Sequence, residues 1–373
     1  LRFILQSSQK SEKLIFISNM AAPYMVDLCY AMQDYYDSEF WFYEHVSSNR
    51  PVWWKVPLGE KCKVLPSVYL TSKKKYICPK LGALLSSCDP DVVMIGGLGI
   101  PSNWMAYRWA VKHKKKVILF SEMLRFPDGR KKESKLFTRI VRALYDKVDL
   151  ILTAGNHAND YFVNTLGFDS QRVVKINYPM SIEKNLRHSL RKTKDSYVFL
   201  FSHRLVDIYN PLMAINIFSK VLKRHPESTL LLNGSGELRT QCEIRIDELG
   251  LKNVVTFLDE IDSWESLHQV YQNADISISP AIFSNGNGSI IEAMASGMGI
   301  VLSDNVLTNR DLIASNDCGF VCELSVDAFV EAIEQYFVVP ALINEHGKRG
   351  RQAIQHYRPC NTARSFHKAI SSV

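Results

Sequence analysis

The feature that most narrows the choice of fold is a repeated alternation, in which short runs of β-branched and aromatic residues are each followed by a stretch of helical period. Strand-like runs stand at KLIFISN, SEFWFYE, DVVMIGG, KKVILFSE and LILTAG, and helical stretches at YMVDLCYAMQDYY, SNWMAYRWAVKHK and SKLFTRIVRALYDKV. Apolar strands separated by helices are what a parallel sheet covered on its faces requires. The pattern breaks at residues 176–197, where INYPMSIEKNLRHSLRKTKDSY is polar, basic and carries Pro179; within it, 181–196 is the expected linker. A second series runs through YVFLFS, STLLLNG, NVVTFLD, ISISP and GIVLSD, with helices at PLMAINIFSKVLKRH, LRTQCEIRIDELG, WESLHQVYQNA and SIIEAMASG. The fold class is therefore α/β. Domains are expected at 1–180 and 197–355, with a terminal helix at 356–373 crossing back to the first. The 373 residues suit two domains of about 100–200 residues each.

Composition excludes several classes. With 46% hydrophobic and 22% charged residues the chain is neither disordered nor fibrous. No apolar run approaches the ~20 residues that span a bilayer. The first residues, LRFILQSSQKSEK, lack the apolar core and cleavage site of a signal peptide and read as a leader before the first strand. Eight scattered cysteines without a C-x-x-C pair fit reduced thiols and a cytoplasmic setting. Cys318 and Cys322 lack zinc-spaced partners and read as buried structural residues, so no metal is expected. The net charge of +7 is lumpy, with KKK at 73–75 and 114–116 and RKKESKLFTR from Arg130 to Arg139. Such runs mark either a solvated face or an anionic neighbour, and no nucleic-acid-binding pattern accompanies them.

The strongest local signal is SNGNGSIIEAMASG, Ser284 to Gly297, which follows ISISP and opens a helix. Free amides at a helix start attract an anion or a sugar hydroxyl, and glycines let a ligand approach the backbone. Taken alone, the stretch reads equally as an ordinary loop with Ser289 as the helix cap. Gly96, Gly97 and Gly99 in GGLGIPS lack the last glycine of a dinucleotide fingerprint, which argues against a Rossmann oxidoreductase. No G-x-S-x-G motif or other nucleophilic triad is present.

ADISISP, the glycine loop, EAMASG and GIVLSD together resemble the signature region of glycosyltransferase family 4. SHRLVDIYNP, LLLNGSGELR, VVTFLDEID and ESLHQVYQNAD are similar to the family's preceding landmarks, in order. ISNMAAPYMVDLCYAM resembles the Asn-x-x-x-Pro-Tyr opening of one branch, and DVVMIGGLGIPSNWMAYRWA with VILFSE is similar to that branch too. The resemblance implies a GT-B architecture, two Rossmann-like domains facing across an interdomain cleft. It also implies a retaining transfer of a sugar from a nucleoside diphosphate donor, as co-substrate and without a cofactor, to a saccharide or lipid-linked hydroxyl acceptor. Bacterial surface-polysaccharide or glycolipid biosynthesis is the implied setting.

Carried over residue by residue, Glu292 matches the second glutamate of the Glu-x7-Glu motif, which holds the ribose. Arg204 matches the arginine that neutralises the donor diphosphate and, as charge develops there, serves catalysis. Asn285, Gly286, Asn287, Gly288 and Ser289 form the donor loop, and Gly234 the glycine-rich turn. Three positions depart from the family: Ser284 stands at the first glutamate, Tyr209 at the lysine after Arg204, and His203 at the glycine before it. His203 either donates to phosphate or packs. These departures leave open a non-catalytic nucleotide-sugar-binding protein derived from a transferase. On the N-terminal side, Asn19, Pro23 and Tyr24 follow the first strand, and His157 follows LILTAG; all are expected to face the cleft. Glu122, at the end of VILFSE, reads equally as an acceptor-side base and as a salt-bridge partner of Arg125 or Arg130. The basic run Lys131–Arg142 is expected to meet an anionic membrane face, giving peripheral attachment on its inner side.

Overall fold

The computed structural model describes residues 12–47, 50–69, 76–97, 99–122, 134–186, 196–286 and 288–373. The chain divides into two compact units, Leu1–Pro179 together with Pro359–Val373, and Met180–Arg358. Each is a parallel sheet covered by helices.

In the first unit the chain runs β1 (Lys13–Met20), α1 (Pro23–Met32), β2 (Asp37–Glu44), β3 (Cys62–Val64), β4 (Val68–Tyr69), β5 (Tyr76–Ile77), α2 (Leu81–Cys88), β6 (Val92–Gly96), α3 (Pro101–Lys112), β7 (Lys116–Ser121), α4 (Lys135–Leu144), β8 (Leu150–Ala154), α5 (Asn156–Asp160) and β9 (Val173–Ile176). Seven strands lie in the order β3-β2-β1-β6-β7-β8-β9, while β4 and β5 form a small antiparallel pair. Strand alternation sends Leu14 and Phe16 to one face of the sheet and Ile15 and Ile17 to the other, and both faces are buried. Proline at the first position of α1 and α3 starts those helices where no amide partner is needed.

The second unit runs β10 (Val198–Ser202), α6 (Pro211–Leu222), β11 (Thr229–Asn233), α7 (Arg239–Glu248), β12 (Val255–Phe257), α8 (Trp264–Asn273), β13 (Ile276–Ser279), α9 (Gly288–Ala295), β14 (Gly299–Ser303), α10 (Leu307–Asn316), β15 (Phe320–Cys322), α11 (Val326–Val338) and α12 (Ala341–Ala353). Its six parallel strands are ordered β12-β11-β10-β13-β14-β15. The chain then returns to the first unit as α13 (Pro359–Ile370), whose Ala363, Phe366 and Ile370 join the core of Met25, Leu28 and Phe120. Phe120 and Phe366 meet with ring centroids 5.3 Å apart.

Of the expected linker, Ser181–Leu186 belongs to the second unit, where the Asn185 carbonyl accepts from Gln272 of α8 (3.0 Å) and Ser296 (3.1 Å). Residues 187–195 lie outside the described residues.

Candidate functional site

In the second sheet the strand order reverses between β10 and β13, because the chain leaves β10 outward to β11 and β12 and then returns to build β13, β14 and β15 on the other side. Open α/β sheets take their ligands beside the carboxyl ends of the strands at such a reversal. The segments leaving β10 and β13 meet there, with Ile282 N donating to Ile208 O at 2.9 Å.

The turn after β11 holds the segment after β10 in place. Leu205 N donates to Ser235 O (2.9 Å) and Leu238 N to Leu205 O (2.9 Å). This approach needs glycine at Gly234, whose φ is +148°, since a Cβ there would collide with the His203 carbonyl.

His203 is buried and sits between three neighbours: its Nδ1 lies 3.2 Å from Ser289 Oγ, its ring stacks on Tyr209 (5.1 Å, 10°), and Phe201 meets it edge-on. Burial pushes the imidazole pKa down to about 3, so the ring is neutral at ordinary pH. Two of the departures from the family pattern, His203 and Tyr209, thus form one stacked pair. The Arg204 guanidinium lies 5.5 Å from the Tyr209 ring centroid. Arg204 is half-buried and makes no ion pair among the described residues.

Ser289 falls in the first turn of α9, which begins at Gly288, so it is not the cap suggested by sequence; its hydroxyl is used on His203 instead. One turn further along, half-buried Glu292 stands beside the Tyr271 hydroxyl of α8. Burial first, and then the charge of Glu292, push that hydroxyl well above its ordinary pKa. Tyr271 also donates to Ser202 Oγ (2.9 Å), which accepts from Asn233 Nδ2 (2.9 Å). Ser202, Asn233 and Tyr271 thus brace the glutamate from three separate elements, and no local motif announced them. Ser284 is buried and engaged through its backbone, its N donating to Asn305 O (3.1 Å) and its O accepting from Leu307 N (2.9 Å). Asn285, also buried, accepts at its carbonyl from Thr308 N (2.8 Å). Gly286 is exposed and backed by Thr308, and a Cβ on Gly288 would press on Met180. Asn287 lies outside the described residues.

In the first unit the corresponding reversal lies between β1 and β6. Pro23 opens α1, and Asn19 turns its Oδ1 back to Met20 N (2.9 Å). Tyr24 meets Tyr178 edge-on at 5.3 Å, and the Tyr178 hydroxyl is driven well above its ordinary pKa by burial first, then by Tyr24 and the Glu122 charge. Arg50, which stacks on Trp54 at 4.5 Å, acts on the same hydroxyl in the opposite sense. Tyr24, Glu122, Tyr178 and Arg50 therefore share one neighbourhood, of which Arg50 and Tyr178 were not anticipated. Glu122 keeps solvent access, yet the surrounding protein raises its carboxyl above the usual range. Arg125 and Arg130, its alternative partners, lie outside the described residues. His157 stands half-buried on α5, after β8, and Ser121 of β7 pairs with Thr153 of β8, so His157 and Glu122 leave the same sheet edge. The glycine cluster after β6 has a structural role: Asn103 Nδ2 donates to the Gly96 and Gly97 carbonyls, each at 2.8 Å.

Comparison with known proteins follows this division. Over 128 residues the chain is 30% identical to an uncharacterized glycosyltransferase of Methanocaldococcus jannaschii, spanning 34% of this chain and 32% of that protein. Over 146 residues it is 30% identical to the poly(glycerol-phosphate) alpha-glucosyltransferase of Bacillus subtilis, spanning 39% and 21%. Less than two thirds of either relative is therefore matched. Among solved structures, a glycosyltransferase from Rickettsia africae superposes with a TM-score of 0.76 at 14% identity, covering 97% of this chain and 98% of that one. Anabaena HepE, solved with UDP and glucose, superposes with a TM-score of 0.74 at 13% identity, covering 97% and 100%. These structures are glycosyltransferases built from two parallel-sheet, Rossmann-like domains, and this chain shares that fold. Residues 182–353, which carry Arg204, Ser289 and Glu292 and fall within the Met180–Arg358 unit, match the model of the Glycosyl transferases group 1 family.

Proposed function

We propose that the chain is a retaining hexosyltransferase that moves a sugar from a nucleoside diphosphate donor to a hydroxyl acceptor, in bacterial surface-polysaccharide or glycolipid assembly. One observation carries the reading: Arg204, half-buried and without an ion pair among the described residues, adjoins the His203–Ser289 contact at the first turn of the helix that bears Glu292. As the anomeric carbon–oxygen bond to the diphosphate breaks, negative charge grows on the leaving oxygen, and a fixed guanidinium with helix-terminal amides stabilises it. Glu292, braced by Tyr271, accepts the ribose hydroxyls through charge-assisted bonds. Glu122, its carboxyl raised by its surroundings, takes the proton of the acceptor hydroxyl as the new glycosidic bond forms. Tyr24, Asn19 and His157 line the acceptor side, as the Asn-x-x-x-Pro-Tyr branch would have it. The acceptor is a saccharide or a lipid-linked sugar, and the protein works at the inner face of a membrane without spanning it.

A second reading is a non-catalytic nucleotide-sugar-binding protein. Ser284 and Tyr209 favour it, because they leave a single fixed cation and no first glutamate.

Thermal-shift measurements against nucleoside diphosphates and their sugars, beginning with UDP and UDP-glucose, test both readings. Ligand at about 100 times Kd adds about 2.7 kcal/mol of stability. Glu292→Ala is expected to abolish the shift of the best ligand; an unchanged shift refutes the site. Binding without transfer or slow donor hydrolysis selects the second reading.

A further inference from the structure

The carboxyl edge of the first sheet carries one charge that the proposed reaction does not use. Four strands end there, β1 leading to Tyr24, β2 to Arg50, β7 to Glu122 and β9 to Tyr178. Tyr178 reaches back over the sheet end, its ring 5.3 Å from Tyr24 and 5.6 Å from Phe120 of β7. Burial, then Tyr24, then the Glu122 charge raise its hydroxyl, and Arg50 opposes them, so a carboxylate and a guanidinium stand around one phenol. Tyr24 and Glu122 have work in the reaction; Arg50 has none.

Arg50 is held ready by the chain around it. The backbone after β2 is fastened to the end of β1 by Ala21 N donating to Glu44 O (3.2 Å) and by Ser47 N donating to Met20 Sδ (3.2 Å), and Arg50 N donates to Ser47 O (2.8 Å). Further on, His45 Nε2 lies 2.7 Å from Val56 O, and the Tyr30 hydroxyl donates to Leu58 O (3.0 Å). Between these ties Trp54 packs against the core, and the Arg50 guanidinium lies 4.5 Å from its ring centroid. The ring covers one face of the guanidinium. The exposed edge, with its N–H donors, makes no ion pair or hydrogen bond among the described residues. A purely structural version of the contact looks different: Arg239, over Phe257, is tied to Glu243 (2.7 Å) and Asp259 (2.5 Å).

We propose that Arg50 is a specificity-determining residue on the acceptor side, gripping a carboxylate or phosphate carried by the acceptor sugar, so that the substrate is an acidic saccharide. A planar fork fixed on a ring presents two parallel donors to an anion with two oxygens, and little ordering is left to be lost on binding. The cation also offsets the repulsion that the Glu122 carboxylate would exert on an anionic acceptor. The inference rests on the transferase reading for its choice of a saccharide as the ligand.

The test is titration of the full chain, with and without saturating UDP, with methyl glucoside, its 6-phosphate and methyl glucuronide, followed by NMR. At least one anionic sugar is expected to bind about tenfold or more tighter than the neutral one, as a charge-assisted hydrogen bond gives, and the one preferred identifies phosphate or carboxylate. Arg50→Gln is expected to erase that preference while keeping the melting temperature, the affinity for methyl glucoside and the UDP thermal shift; Arg50→Lys should restore only part of it. Equal affinity of the parent for all three sugars overturns the proposal, as does a preference that survives Arg50→Gln. A weakened UDP shift in Arg50→Gln, with the sugar preference unchanged, also overturns it and assigns Arg50 to the nucleotide. A parent that prefers the anionic sugar through Arg50 but does not bind UDP would defeat the transferase reading and leave the anion site standing; UDP binding without the preference would do the reverse.

Discussion

At the strand reversal of the second sheet, the polar groups are tied to one another: Asn233, Ser202 and Tyr271 brace Glu292, and Ser289 meets His203. At the reversal of the first sheet, the residues meet chiefly through aromatic rings, Tyr24 on Tyr178 and Arg50 on Trp54, and the glycine loop is held by Asn103 and by Gly97 N donating to Phe120 O (2.9 Å). A hydrogen-bonded cluster fixes positions to fractions of an ångström, which suits the donor side of the proposed reaction. Ring contacts tolerate sliding, which suits the acceptor side of the proposed reaction.

The largest expected effect tests whether the charge chemistry resides in the second unit. Arg204→Met should lower kcat/KM for transfer by about a hundred- to a thousandfold, while Tyr24→Phe should cost less than about tenfold in the same assay, as one hydrogen bond does. Equal losses would break the contrast. Glycines compare the rigidity of the two edges. Gly234→Ala collides with the His203 carbonyl and should destabilise by about 3 kcal/mol or more in denaturant unfolding. Gly97→Ala has φ +80° but open space around it and should cost about 1–2 kcal/mol.

The pH response of His203 gives a smaller effect. Its folded pKa of about 3 lies below the ordinary value of 6.5, so the unfolded chain takes up the proton first. Stability is fully present above about pH 6.5 and is lost as pH falls toward 3. Between about pH 6.5 and 5, the parent should lose about 2 kcal/mol more than His203→Gln. Buried His346, also shifted downward, contributes to both proteins and cancels. Smallest of all, Tyr271→Phe should cost about 1 kcal/mol of stability and weaken nucleotide binding a few-fold by freeing Glu292. An unaltered nucleotide affinity would show that the brace does not orient the carboxylate.

The sequence displayed what is local. The strands of both sheet centres were readable because burial on both faces makes them continuous apolar runs, whereas Glu292 was singled out by the family resemblance, the local stretch alone reading equally as a loop and cap. The edge strands β3, β9 and β15 were missed, since three or four residues with one side exposed carry little periodicity. Helices α10, α11 and α12 were missed as well, although Ser325 before an apolar repeat was a usable signal for α11, where it accepts from Ala328 N. Ser202, Asn233 and Tyr271 were illegible because they come together only when β10, β11 and α8 assemble. The pairing of His203 with Tyr209 was hidden for a related reason: five residues separate them in sequence, and only the turn after β10 brings their rings together.

Because α13 packs with α1 and Phe120, the first unit is written in two pieces and the second in one, 180–358. During synthesis the second unit is complete before the chain ends, whereas the core around Met25 and Leu28 stays open until Phe366 and Ile370 have been added. The half that begins the chain is thus the last to close, and a premature stop after residue 358 would damage the beginning of the protein rather than its end.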